Sequence, residues 1–280
     1  MASAILYAAG LFPAAFVLSR ALRSLGLSLP LRAVASAQII GHLGKYVPGK
    51  AMVVIVRASI LNRDGIETGS PQVSLRAATI AIMLETLTLI ATGASLALLV
   101  VAFLEVPSWI RGAGGVVALG AIFATWPPLL RLAISRRIVG GSLKFDWTSQ
   151  DMLVAWFWNA SSWALLGGSL MAVVLSLPES IREPSYGSPA ILYLICFASL
   201  ALAFVAGFLS FLPGGAFARE VVLTTMLAPV TGPSGALITA ILLRMIHLTV
   251  EIVLAGMAWF FLPQKGSGIT TDMDARHVGN

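Results

Sequence analysis

The sequence has 280 residues, of which 58% are hydrophobic and 11% charged, with a mean hydropathy of +0.92. A soluble domain carries about 25% charged residues, so a cytosolic globular protein, a disordered chain and a secreted disulfide scaffold are all excluded. The formal charge of +6 comes from 18 Lys+Arg against 12 Asp+Glu. These basic residues fall between apolar spans, where they mark cytoplasmic loops rather than nucleic-acid contacts. The single Cys196 excludes an intrachain disulfide and a cysteine-built metal site. At roughly 20 apolar residues per crossing, the expected fold is an all-α polytopic membrane domain over residues 1–263, followed by a polar tail, 264–280, expected to be disordered. About six to eight membrane segments fit that length.

The first span is expected at residues 4–18, short for a crossing, and is followed by Arg20, Arg23 and Arg32 with no acid among them. A cytoplasmic loop there places the N-terminus outside, although no signal peptide is visible, and the expectation is that a preceding helix is missing. Residues 34–61 are apolar but broken by Gly41, Gly44 and the run Lys45-Tyr46-Val47-Pro48-Gly49-Lys50. Proline removes a backbone donor and glycine adds freedom, so residues 34–56 are expected to enter and return without crossing. A basic loop, 57–76, leads to a long helix at 77–104 that carries Glu85. The next span is expected at 116–130, with Gly112, Gly114 and Gly115 before it and Pro127-Pro128 at its end.

Residues 131–151 form a second basic loop, and Trp147, Trp156, Trp158 and Trp163 fit an interfacial aromatic belt opening a span that ends near 177. The linker 178–189 has net negative charge, as an outer loop would. A span at 190–212 ends in Phe211-Leu212-Pro213-Gly214-Gly215, and a short apolar segment, 216–230, is closed by Pro229 and Gly232-Pro233. The final helix is expected at 235–262. If the loops divide by charge, a cysteine placed at position 137 is labelled only from the cytoplasm and one at 185 from outside. Outside labelling at 137 but not 185 reverses the orientation.

Two segments share a pattern of an apolar stretch, a Pro-Gly break and an apolar helix bearing arginine. They are Tyr46–Lys50 with Arg57, and Phe211–Gly215 with Arg219-Glu220. Non-helical backbone at membrane depth survives only inside protein or beside a water-filled cavity, and paired broken segments point to a transporter's substrate site. Free N–H groups after each break, with Lys45, Lys50, Arg57 and Arg219, suit an anionic headgroup. The first segment also satisfies GxxxxGK, but Ala51 stands where Mg²⁺ needs a hydroxyl and no strand precedes it, so a nucleotide loop is rejected.

Charges inside apolar spans cost about 2.5–3.5 kcal/mol each on insertion scales and so should pair within the bundle. Glu85 or Glu220 is expected within ion-pair distance of Arg57, Arg219 or Arg244. Arg244, His247 and Glu251, at i, i+3 and i+7, share one helix face, with His247 read as a packing or hydrogen-bonding residue. Ala203 and Gly207 mark close helix packing. The candidate substrate-binding set is Lys45, Tyr46, Pro48, Gly49, Lys50, Arg57, Glu85, Pro213, Gly214, Gly215, Arg219, Glu220, Arg244 and Glu251. No catalytic motif, metal site or cofactor motif is found, so the chain is expected not to be an enzyme.

These residues carry a resemblance. Gly44-Lys45-Tyr46-Val47-Pro48-Gly49-Lys50 with Arg57-Ala58 resembles the first signature of the lysylphosphatidylglycerol synthase transmembrane-region family. Leu212-Pro213-Gly214-Gly215 with Arg219-Glu220 is similar to its second, PGG-x-G-x-RE, except that Ala216-Phe217-Ala218 replaces the stretch holding the later glycine. Glu85 and Arg244 fall where that family often has Glu and Arg, and the likeness covers residues 15–262. It implies lipid handling, as in the flippase domain of the multiple peptide resistance factor, without the separate soluble synthase domain. The expected function is a flippase or transporter of a phospholipid or polyprenyl-phosphate headgroup in the cytoplasmic (inner) membrane of a prokaryote. The alternative is a non-transporting partner that presents lipid to a glycosyltransferase or aminoacyl-transferase. The expected ligand is a membrane lipid and not nucleic acid.

Overall fold

The computed structural model describes residues 1–47, 51–67, 72–103, 107–137, 145–179, 188–210 and 212–261. Helices follow one another as α1 (Ala2–Leu11), α2 (Pro13–Ser24), α3 (Leu31–Gly41), a 3₁₀ turn (His42–Tyr46), α4 (Ala51–Glu67), α5 (Leu75–Val101), α6 (Ser108–Thr125), α7 (Pro127–Arg137), α8 (Ser149–Ser176) and α9 (Pro189–Leu209). A second 3₁₀ turn (Pro213–Gly215) precedes α10 (Ala218–Phe261). Among the described residues there is no strand. Six helical stretches among the described residues are long and apolar enough to cross a membrane. The chain is an all-α, polytopic integral membrane protein.

Local signals set the boundaries. Ser74 caps α5 by accepting from the Ala77 N–H, and Thr148 and Asp151 form a reciprocal capping box at α8. Ser188 caps α9, with Pro189 in its first turn. Ser3 bonds Ser169, the Gly10 carbonyl accepts from Ser162, and Arg20 pairs with Asp151. This register runs α1 and α2 antiparallel to α8. One end of the bundle therefore gathers Arg20, Arg23 and Arg131, the last bonded to the Trp147 carbonyl at 2.9 Å. We call it the basic end; the described connecting residues 25–30 and 145–148 lie there, with the Asp146 N–H donating to the Ser24 carbonyl, and α8 carries the chain to the opposite end.

Several expected boundaries move. The first span is 23 residues, Ala2–Ser24, rather than 4–18. Arg20 and Arg23 sit on α2 because an arginine stem can lie along apolar surface while its head reaches polar partners. Helix α6 begins at Ser108, so Gly112, Gly114 and Gly115 lie inside it. No neighbour comes within 4 Å of a Cβ placed on Gly112 or Gly115; they face outward, where membrane helices tolerate glycine. The aromatic belt is corrected too. Trp147 and Trp163 are buried, at 0% and 2% exposure, and Trp163 donates to the Leu89 carbonyl at 3.0 Å.

Both broken segments are hairpins. A Cβ on Gly41 would meet the Arg57 Cγ at 2.3 Å, and one on Gly44 would meet the Val53 backbone at 2.9 Å. Contacts at 41 with 57 and 44 with 53 fix an antiparallel pair, α3 against α4. The pair opens at the basic end, where Leu31 lies beside Arg20 and Arg23 and Asn62 exchanges two 2.7 Å bonds with the Val73 backbone before α5. Each arm is about 25 Å long at 1.5–2.0 Å per residue.

The second hairpin is made by α9 and the start of α10. A Cβ on Gly215 would stand 2.7 Å from the Gly207 Cα, so Gly207 serves a backbone-to-backbone approach at this reversal. Helix α10 is itself broken at Gly232, whose φ of 65° and ψ of 165° are non-helical. Glu220 bonds Arg244 and Arg219 contacts His247 across that break. In a continuous helix those partners would be roughly 36 and 42 Å apart, so residues 218–231 and 233–261 fold back on each other. Residues 233–261 run antiparallel to α8, with His247 at Ser169 and Glu251 at Tyr7. Gly232 is therefore at the end opposite the basic one. The two hairpins enter from opposite ends, and their tips meet inside.

Candidate functional site

The tips meet just past the midpoint of the 28-residue α8. A Cβ on Gly214 would lie 3.4 Å from both the Tyr46 ring and the Arg244 Nη2, which measures how closely the first tip, the second tip and α10 converge. Gly214 has a φ of 60° and Gly215 a φ of 70°, left-handed backbone that glycine adopts without penalty. Phe217 also has a positive φ, 64°, although it is not glycine. Such a residue costs on the order of 1–3 kcal/mol. It occupies the position at which the resembled PGG-x-G-x-RE signature carries its later glycine.

Around the tips lies a polar cluster from four parts of the chain. Lys45 donates to Glu251 Oε1 at 2.5 Å, and the Tyr7 hydroxyl donates to the same oxygen. Tyr7 stacks on His247 with ring centroids 3.6 Å apart and planes 8° from parallel. His247 in turn lies 3.4 Å from the Ser169 hydroxyl and 3.3 Å from Arg219 Nη2. The Arg219 guanidinium covers the Phe204 ring at 3.8 Å, and Arg244 pairs with Glu220. Glu251, His247 and Tyr7 are each 2% exposed or less. A carboxylate this deep is retained only when cations and donors hold it.

Among the described residues, Lys45 and Arg244 each have a carboxylate and Arg219 has none. Arg219 is half-buried, flanked by a ring face and an imidazole. That leaves a planar fork of donors directed by aromatic contacts, the geometry suited to carboxylate or phosphate oxygens.

Of the expected residues, Lys45, Tyr46, Gly214, Arg219, Glu220, Arg244 and Glu251 come together here, and the Pro213–Gly215 turn forms the second tip. Pro48, Gly49 and Lys50 lie outside the described residues. Arg57 and Glu85 pair at 2.9 Å with 5% and 4% side-chain exposure, and Gln38 donates to Glu85 at 3.2 Å. This pair clamps the arms of the first hairpin to α5, roughly one helical turn on the open side of Lys45 along α3. The expectation that Glu85 or Glu220 pairs with Arg57, Arg219 or Arg244 is met by Glu85 with Arg57 and by Glu220 with Arg244. Tyr7, Ser169 and Phe204 were not singled out from sequence; a tyrosine or serine in an apolar helix carries no spacing signal. No family model matches the chain, and no curated protein matches it significantly.

Proposed function

We propose that the chain is a lipid-handling membrane protein, a flippase-type transporter of the prokaryotic cytoplasmic membrane. In this reading an anionic headgroup, from a phospholipid or a polyprenyl phosphate, is held where the two hairpin tips meet. The observation that carries it is the convergence of Lys45, Arg219 and Arg244 on the contact between Tyr46 and Gly214. Arg219 receives the headgroup first, having no carboxylate to give up. Lys45 and Arg244 then exchange Glu251 and Glu220 for headgroup oxygens, while the tails stay between helices. Hairpins entering from opposite ends give each leaflet its own approach to one site, the arrangement that alternating access requires. The carboxylates of the cluster serve as counter-ions held by cations, which favours transport over base chemistry. The left-handed Phe217 backbone supports kinship with the family whose signature has glycine there.

The test is translocation of fluorescent phosphatidylglycerol and of a polyprenyl phosphate in proteoliposomes. Arg219→Ala should fall about tenfold or more in headgroup retention and transport, the effect of removing one charge-assisted contact worth about 1.5–3 kcal/mol. Arg276→Ala in the tail should change neither. Equal transport of both lipids by wild type and Arg219→Ala at matched expression overturns the site.

A further inference from the structure

At the basic end, about 20 Å from the tip cluster along α8, a groove of about 200 Å³ opens between α2, α3 and α8, lined by Phe16, Ser19, Arg20, Arg23, Leu31, Val154 and Trp158. Its walls are apolar and its rim is cationic. Phe16 and Trp158 form one wall, stacked with centroids 4.4 Å apart and planes 11° from parallel. Arg20 contacts Asp151 through Nε and also lines the groove, which leaves its two terminal nitrogens for another anion. Arg23 is exposed and has no partner among the described residues. The groove sits where the apolar stretch Ala2–Ser24 ends, which is headgroup depth for a helix of that length.

We infer that this groove is a second lipid site, separate from the tip cluster, that binds the headgroup of an anionic phospholipid from the leaflet at the basic end. Charge selects the occupant. The groove has two guanidiniums; only that of Arg20 contacts a carboxylate, Asp151, which is already shared with the Thr148 backbone and hydroxyl at 2.8 and 2.7 Å. The rim therefore has spare positive charge at the surface where anionic lipids concentrate, and basic pockets between helices take such headgroups. Size agrees: about 200 Å³ is below the 300–1,000 Å³ of drug-sized pockets. It admits a glycerol-phosphate headgroup, with the chains lying in the bilayer against Phe16, Leu31 and Trp158. The fork of Arg20 and the exposed Arg23 take the phosphate oxygens, and the stacked rings cover the glycerol.

Trp158 reports occupancy directly. Brominated phosphatidylglycerol and brominated phosphatidylcholine are compared as quenchers in vesicles holding the full chain, and the Trp158 share is read as wild type minus Trp158→Phe. Phosphatidylglycerol should quench this share in preference to phosphatidylcholine. Arg23→Gln should reduce the preference about fivefold, the effect of one basic residue at the surface. Arg32→Gln, an exposed cation on α3 that does not line the groove, should leave it intact. Equal quenching by both lipids overturns the site, as does an Arg32→Gln loss matching that of Arg23→Gln. Full competition by soluble glycerol phosphate overturns the lipid assignment, because it shows a phosphate site indifferent to the bilayer.

Discussion

Replacing Glu85 with alanine should destabilise the protein by about 3–5 kcal/mol, the cost of leaving a buried charge without its partner. Arg57 is 4% exposed and Gln38 1% exposed, so neither can turn to solvent once the carboxylate is gone. The loss falls on the first hairpin, because this pair ties α4 to α5 while Gly41 lets the Arg57 stem lie against α3. Thermal unfolding in detergent micelles reads the effect. Removing both charges as Arg57→Met with Glu85→Leu should recover most of the stability, since an apolar replacement of a buried pair is often neutral or favourable. An alanine variant as stable as wild type would show that the pair carries no structural load.

Glu251→Gln should act on the other carboxylate in the opposite functional sense. Glutamine keeps an oxygen for the Tyr7 hydroxyl but cannot hold Lys45 by charge. Lys45 has 27% side-chain exposure against 0% for Glu251, so it can swing away instead of remaining buried and unpaired. With its competing anion gone, Lys45 should hold an anionic headgroup more tightly, and release should slow. The expected result is about tenfold greater lipid retention, for a difference of about 1.4 kcal/mol, with slower translocation. Native mass spectrometry of co-purified lipid and the proteoliposome assay measure the two arms. Weaker retention in Glu251→Gln would mean that Glu251 supports headgroup binding instead of competing with it.

Much of this was legible from residue order. Proline and glycine at 48–49 and 213–214 act through backbone chemistry that is local, so both breaks were visible, as was the turn at Gly232-Pro233. Burial cost made the pairing of Glu85 and Glu220 with arginines an expectation before any coordinates. Helix ends were less legible, because in lipid an apolar stretch with glycine remains a helix, and α6 therefore starts eight residues before its expected 116. The belt reading of Trp147 and Trp163 failed because an indole is at home in the core too: Trp163 bonds the Leu89 carbonyl there, and Trp147 packs into the apolar cluster around α2 and α5. Tyr7 was invisible for a further reason. Its importance comes from meeting Glu251, 244 positions away, and no local period encodes such a contact.

The Lys45 and Glu251 contact also sets a schedule for assembly. The two residues are 206 positions apart, and Glu251 belongs to the last helix of the bundle. At a synthesis rate of about 5–20 residues per second, the cation at the first tip is made roughly 10–40 s before its counter-ion exists. The first hairpin can be clamped to α5 by Arg57 and Glu85 during that interval, with the part-exposed Lys45 ammonium turned away from the apolar helices. Closure of the Lys45 and Glu251 contact is thus a late event that follows synthesis of α10.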